Sequence, residues 1–422
     1  MNRLICAAIA WVFLAAVPAS AQVPWDKAAI EQALRESGHY AATVLIPETG
    51  KGRADYDLIA GEWREYEPHW HTGQTILGLI EAWRITGEPE LLAAARRGGD
   101  WWVSTEFQPP HPLAGLVDAQ HGARVGPLIN FTTISDGTAG LFALTQATGD
   151  PRYADAATRS GRWLFANTRV PGADGLYFNI IEPETGRIWT DRSPHHPDAN
   201  PASLTQVARP NIEGSLALDM CRHTGEQAWC DQFIDHAGAV VRWQGPEGLW
   251  MAFEPNDPET GKVHPRFNLW NAEALINAYD LSGDRRFLEA ALKTGRKMAT
   301  YQDRHGAIAY TLNVDGSSRP DSITGSATAF AGILWLRLRA HGVGEEFTPH
   351  IDRSLAWILA NRFSTEHPDP NLRGAILETR VTSGPGGMQI AVRDIATAFG
   401  LRFLAMAWRE AGAREVSAEQ HP

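Results

Sequence analysis

The chain has 422 residues, a formal charge of −11, 44% hydrophobic residues and three cysteines. Its length suits one large domain or two ordinary ones. The acidic balance argues against nucleic acid and anionic membrane surfaces as partners, although a local arginine cluster can still receive an acidic ligand.

The first segment has the three parts of a secretory signal: Arg3, an apolar run from Leu4 to Val17, and the small residues Ala19-Ser20-Ala21. The run is short for a membrane span. The expectation is a leader over 1–21, cleaved near Ala21, and a secreted or periplasmic single domain over 22–422 that touches no membrane after cleavage. Losing Arg3 with no acid takes the charge from −11 to −12. Apart from Cys6, only Cys221 and Cys230 occur, flanking a turn in "DMCRHTGEQAWCDQF". A disulfide there suits an oxidising compartment, but the spacing leaves the pairing open.

From residue 86 onward the chain repeats itself. "TGEPELL" (86–92), "TGDPRYA" (148–154), "TGEQAWC" (224–230) and "SGDRRFL" (282–288) recur, with a looser copy, "HGVGEEF", at 341–347. An apolar helical run precedes each copy (72–85, 136–147, 212–222, 270–281 and 325–340), and a more polar helix follows. The glycine is the expected left-handed stop of the first helix, and the following Asp or Glu the cap of the second. Glycine-led stretches at 175–189, 248–263, 306–316 and 374–387 read as hairpins; the first two share Pro-Glu-Thr-Gly at the bend. A last apolar helix over 390–411 supplies a sixth inner member, with 26–37 as its outer partner. The expected fold is all-α: an (α/α)6 toroid of six helical hairpins with short β-hairpins at one mouth. The segment 190–210 reads as a loop across one face.

Parallel inner helices would collect their N-terminal ends at one mouth, where the unusual polar residues fall. They include Glu67, His69, Trp70, His71 and Gln74 before and within the first helix, and Asp136 in the second. Arg209, Asn211 and Glu213 lead the third, and Arg266, Trp270, Asn271 and Glu273 the fourth. Arg393 and Asp394 belong to the sixth. Capping could occupy Asp136, Asn211, Asn268 and Thr324, but it does not explain the arginines, histidines and tryptophans beside them.

Six such hairpins with "TGD-x-x-[YF]" turns and an aromatic-rich mouth resemble the six-hairpin glycosidase superfamily, most of all unsaturated glucuronyl hydrolases and related uronic-acid-active enzymes. The resemblance covers most of the chain past the leader and implies the toroid and a sugar-acid substrate. The repeated turn is shared with sugar epimerases and several polysaccharide lyases, so it carries the fold rather than a catalytic role.

The residues point to carbohydrate independently. Indoles pack on sugar rings, and Trp70, Trp189, Trp250 and Trp270 fall at the mouth or in its loops. A glycosidase needs a carboxylic acid at the leaving oxygen and a second carboxylate as base or nucleophile. The catalytic candidates are Asp136 and Glu213 first, then Glu273, Asp394 and His71. Substrate-binding candidates are Glu67, His69, Trp70, Gln74, Arg209, Asn211, Arg266, Trp270, Asn271 and Arg393, with the three arginines suited to a substrate carboxylate. The leading expectation is a glycoside hydrolase acting on an acidic oligosaccharide or polysaccharide, without cofactor or metal. One alternative is a polysaccharide lyase or uronyl epimerase abstracting a proton with His or Tyr, helped by Asn or Arg; another is a non-catalytic glycan-binding protein. A weaker reading puts a metal on Glu67, His69 and His71, with His195, His196 or His264 as the fourth ligand.

Overall fold

The computed structural model describes residues 25–121, 127–173, 175–194, 196–317, 323–384 and 387–420. The expected leader over 1–21, and His195, lie outside them.

Hairpin after hairpin, the repeats become antiparallel helix pairs. Helix α1 (Lys27–Tyr40) comes first, followed by strands β1 (Asp55–Asp57) and β2 (Glu62–Arg64). The first pair is α2 (Pro68–Thr86) with α3 (Pro89–Val103). Strands β3 (Gln120–His121) and β4 (Leu128–Asn130) lead to the second pair, a broken inner helix α4 (Phe131–Gly137) and α5 (Ala139–Thr148) with outer α6 (Arg152–Asn167). After β5 (Tyr177–Phe178) and β6 (Ile180–Ile181), a loop holds the short α7 (Leu204–Val207) and β7 (Ala208–Arg209). The third pair is α8 (Leu216–Thr224) with α9 (Gln227–Trp243). Strand β8 (Lys262–Val263) precedes α10 (Pro265–Ser282) and α11 (Arg285–Tyr301). Strands β9 (Ile308–Ala309), β10 (Leu312–Asn313) and β11 (Ile323–Thr324) precede α12 (Gly325–Ala340) and α13 (Thr348–Ala360). Strands β12 (Thr379–Gly384) and β13 (Gly387–Arg393) lead into α14 (Ile395–Gln420).

The inner helices pack side by side in sequence order, and α14 closes the ring by packing on both α12 and α2, with α1 as its outer partner. The (α/α)6 toroid expected from the repeats is therefore the observed fold. Gly87, Gly149, Gly225 and Gly283 end their inner helices in the left-handed region, at φ between 70° and 73°. The acidic caps are less uniform. Asp150 and Asp284 accept from the amides of Arg152 and Arg286, whereas Glu88 and Glu226 make no side-chain cap. Cys221 and Cys230 form a disulfide between α8 and α9.

Two expectations change. The segment 390–393 is strand, and the sixth inner helix begins only at Ile395. β13 joins the sheet β12-β13-β1-β2, where alternation drives its register: Arg380, Ala391 and Asp57 share one face, while Val392, Tyr56 and Trp63 share the other. That pairing outweighs the helical reading of a run that is apolar under either period. The fourth glycine-led stretch runs into a local hairpin, β12 with β13, but the first three differ from self-contained hairpins. Their bends close locally, through Glu182 to Arg187 and Asp257 to Lys262. Their strands pair elsewhere, β5 with β7, β8 with β10 and β9 with β11. Two-residue strands have too few partners to stand alone; here they stitch chain segments together along one mouth.

Close packing of the inner ring depends on glycine at one contact. A Cβ on Gly140 would lie 2.2 Å from the Gly73 carbonyl oxygen, and one on Gly73 would lie 2.3 Å from that of Gly137. The axes of α2 and α4–α5 approach only because those side chains are missing. Gly140→Ala is expected to lower the unfolding free energy by ~1–3 kcal/mol through overpacking. Gly149→Ala, at an open position strained only by its φ of 72°, costs about 1 kcal/mol. Chemical denaturation of both variants checks the order, and an unchanged Gly140→Ala would contradict the close approach.

Candidate functional site

A cleft of about 1020 Å³ opens at the N-terminal mouth of the inner helices. Three residues here hold left-handed backbone without being glycine: Glu67 (φ 46°), Asn211 (φ 53°) and Ser215 (φ 57°). Each flanks the start of an inner helix; Glu67 lines the cleft, while Asn211 donates to the Tyr177 carbonyl oxygen and Ser215 accepts from Asn277. Strain of this sort costs on the order of 1–3 kcal/mol per residue and gathers at functional sites.

One side of the cleft is acidic. Asp136, next to the break between α4 and α5, is buried and accepts a 2.6 Å hydrogen bond at Oδ2 from Trp70 Nε1. Burial pushes its pKa up to about 7, with the Trp70 bond pulling down and the Glu213 charge pushing up. Glu213 stands beside it because Gly214 adopts φ 74° and slides against the backbone; a Cβ there would lie 2.2 Å from the Ser135 carbonyl oxygen. Glu213 Oε1 accepts from Arg209 Nη2 at 3.2 Å, and its Oε2 has no partner among the described residues. Burial holds its pKa above the ordinary value, with the Arg209 charge only partly opposing that. Glu67 behaves oppositely. Burial works against its charge, but His121, facing Oε1, holds its pKa down to about 2.

The other side is basic, and its two buried arginines differ. Arg393 Nε donates to Asp55 Oδ1 at 2.9 Å, and its Nη1 lies 3.9 Å from Glu378 Oε1 and donates to the Tyr310 hydroxyl at 3.4 Å. Arg266, in the first turn of α10, is only 4% exposed, and among the described residues its Nε and Nη1 have no hydrogen-bond partner. Its guanidinium lies 5.7 Å from the Trp270 ring and 5.2 Å from that of Tyr310, an aromatic seat without a carboxylate. His264 caps α10 by accepting the Phe267 amide at Nδ1, which leaves its proton on Nε2. Burial and the Arg266 charge hold its pKa well below the ordinary value, so the ring is neutral. Arg209 bridges the two sides, donating to Asn211, Glu213 and the Glu254 carbonyl oxygen.

Of the sequence-derived candidates, Glu67, Trp70, Asp136, Arg209, Glu213, Arg266, Trp270 and Arg393 line this cleft. The others do not. Asp394 and His71 form a buried pair at 2.7 Å beneath it, with burial raising the Asp394 pKa. His69 stacks on Trp101 at 4.9 Å, where burial drops its pKa to about 3. Gln74 donates to the Asp136 carbonyl oxygen, Asn271 to that of Phe267, and Asn211 to that of Tyr177. Glu273 is drawn away by Arg402 at 2.6 Å. Trp250 is fully buried and donates to Val240, and Trp189 is covered by Arg192 at 4.1 Å. Neither Asp136 nor Asn268 caps a helix; Asn130 caps α4, and Asn268 binds the Trp250 amide. The metal reading of the His69 and His71 pair fails on geometry. Helix α2 starts at Pro68, and helical residues two apart face different ways, here Trp101 and Asp394.

Sequence reasoning missed Tyr66, His121, Tyr310 and Arg380 as cleft residues and weighed His264 only as a metal donor. All fall outside the inner-helix positions, in short strands or beside them. Their signal was period-two alternation in segments too short to read with assurance.

The class defined by this architecture is the (α/α)6 toroid with a polar cleft at the N-terminal mouth. No protein-family model matches the chain, and no curated protein matches it; the likeness is to solved structures. Cellobiose 2-epimerase from Bacillus thermoamylovorans B4167 superposes with a TM-score of 0.71 at 9% identity, over 91% of this chain and 99% of that one. Unsaturated glucuronyl hydrolase from Bacillus sp. GL1 gives 0.60 at 13% identity, over 89% and 96%. A possible member of the GH105 family from Klebsiella pneumoniae gives 0.59 at 14% identity, over 91% and 93%. At such identities the likeness is one of fold, and it bears out the six-hairpin architecture.

The two arginines should part company under mutation. Arg393→Met leaves Asp55 and Glu378 as unpaired buried acids and is expected to cost ~3–5 kcal/mol. Arg266→Met leaves no carboxylate without its partner and is expected to leave the melting temperature unchanged or raised. Calorimetric unfolding of both proteins distinguishes them.

Proposed function

We propose that the protein is a glycoside hydrolase acting on uronic-acid-containing oligosaccharides, with Asp136 as the acid and Glu213 as base or nucleophile. The observation that carries this reading is one cleft holding two adjacent buried carboxyls on one side and a buried, unpaired arginine on the other. Neighbouring acids in low dielectric share charge poorly, so one keeps its proton. Asp136, with its pKa near 7, fits the protonated partner, and Glu213, held by Arg209, fits the ionised one. Arg266 offers donors to a substrate carboxylate in a fork that suits its geometry. In the reaction the bond from the anomeric carbon to the glycosidic oxygen breaks as Asp136 protonates that oxygen. A water oxygen then replaces it at the anomeric carbon, directly or through a Glu213 ester, and the water proton goes to a carboxylate. The fold is compatible, since one neighbour of the same fold is named an unsaturated glucuronyl hydrolase responsible for the degradation of glycosaminoglycan. Export, as the 1–21 pattern suggests, is supported by the Cys221–Cys230 disulfide, a bond favoured in oxidising compartments.

A second reading, β-elimination or epimerisation at a uronate, is favoured by Tyr310. Its hydroxyl accepts from Arg393, and Arg266 lies against its ring. Burial raises its pKa, but Arg393, Arg266 and Arg380 outweigh that and draw it down. A phenolate there could take the proton α to a carboxylate seated on Arg266.

Asp136→Asn and Glu213→Gln are each expected to lower kcat by about 10²–10⁴ on a uronate-terminated oligosaccharide. Activity should fall as pH rises through about 7, where the acid loses its proton. Arg266→Met should raise KM for the free acid and not for its methyl ester. Full activity in both carboxyl variants, or new ultraviolet absorbance from an unsaturated uronide, would overturn the hydrolase reading.

A further inference from the structure

The tryptophan beside the acid has a different task from the one its sequence position suggests. A sugar platform needs an open indole face, but Trp70 is 7% exposed. Its ring meets His71 edge-on at 4.7 Å and Trp270 edge-on at 5.9 Å. Its one polar atom is committed to Asp136 Oδ2 at 2.6 Å. One turn along the same helix, Gln74 Nε2 donates to the Asp136 backbone carbonyl at 3.0 Å. Helix α2 thus grips Asp136 by its side chain and by its main chain. The glycine contacts that bring α2 against α4 and α5 hold both grips in place.

We propose that Trp70 is a positioning residue for the Asp136 carboxyl, occupying Oδ2 and so assigning the transferable proton to Oδ1. This deepens the hydrolase reading and rests on it for its catalytic meaning, though not for its geometry. Among the described residues Oδ1 has no hydrogen-bond donor, while Oδ2 always has one. The hydroxyl oxygen of a carboxylic acid accepts more weakly than its carbonyl oxygen, so the indole N–H on Oδ2 favours the C=O there and the proton on Oδ1. The charged groups that bear on it are Glu213 from the third repeat, Glu273 from α10 and Arg402 from α14, with Trp70 the one neutral donor. Because an N–H aimed at a carboxylate favours the charged form, losing the indole donor should make Asp136 harder to ionise.

The test reads Asp136 directly. In infrared difference titration of the full chain, the carboxylic C=O band that disappears in Asp136→Asn reports its protonated form. In Trp70→Phe its midpoint is expected to move upward by about one pH unit, as loss of a hydrogen bond to a charged group implies. The alkaline limb of kcat/KM on a uronate oligosaccharide should move with it, and kcat should fall more than KM rises. Should Trp70→Phe fail to fold, benzothienylalanine at position 70 keeps the shape and removes only the N–H, and the same shift is expected. An unmoved band in the folded variant, or a rise in KM alone as for a lost stacking platform, would overturn the proposal. Failure of the hydrolase reading looks different: Asp136→Asn would stay active while the band still shifted in Trp70→Phe.

Discussion

Closing six helical hairpins into a ring imposes one constraint from which the rest follows: every inner helix must bury nearly its whole circumference and start on the same face. The walls between repeats are then apolar by necessity, and polar side chains can gather only where the helices begin. The positive ends of the inner helices meet there too, favouring negative charge in the cleft. α14 is what completes the ring, touching α12 on one side and α2 on the other. Glycines 73, 137 and 140 let the α2 and α4–α5 backbones approach, and that approach delivers Trp70 and Gln74 to Asp136.

Within the cleft the chemistry is divided by partner rather than by residue type. Asp136 and Glu67 are both buried carboxyls, yet one is pushed up to about 7 and the other held down to about 2. The difference lies in the neighbours: Glu67 faces His121, while Asp136 faces Glu213 and a neutral indole. Arg393 and Arg266 repeat the contrast with opposite sign, one answered by Asp55 and Glu378, the other answered by aromatic rings alone. A group whose partner is missing inside the protein is ready to find it in a ligand. The left-handed backbone at Glu67 is the local cost of turning its side chain into the cleft.

Much of the fold was legible because it is written as a repeat. The Thr-Gly-Asp turns marked helix ends through a property of single residues, the left-handed tolerance of glycine, and the structure places Gly87, Gly149, Gly225 and Gly283 accordingly. The apolar runs marked the inner helices through periodicity. The reading stumbled at 390–393, where four residues satisfy either period and only pairing with β1 and β12 decides for strand. It stumbled again at the first three glycine-led stretches, whose bends are local but whose strand partners come from other segments.

The site divides along the same line. Position in the repeat brought Glu67, Trp70, Asp136, Glu213, Arg266 and Arg393 to one mouth, because a helix start is a local feature repeated at a regular interval. It could not show that His71, one residue after Trp70, turns to Asp394 beneath the floor, or that Glu273 is taken by Arg402. Nor could it bring Tyr310 and His121 to the cleft, since one lies between two short strands and the other in a two-residue strand, outside the repeated helix starts. The sequence by itself determined the ring and the face on which its polar residues gather. Only the tertiary structure decided which of those residues meet, and with that which carboxyl burial pushes upward and which arginine has no carboxylate beside it among the described residues. Charge state in a buried site depends on neighbours from other repeats, and sequence spacing carries no record of them.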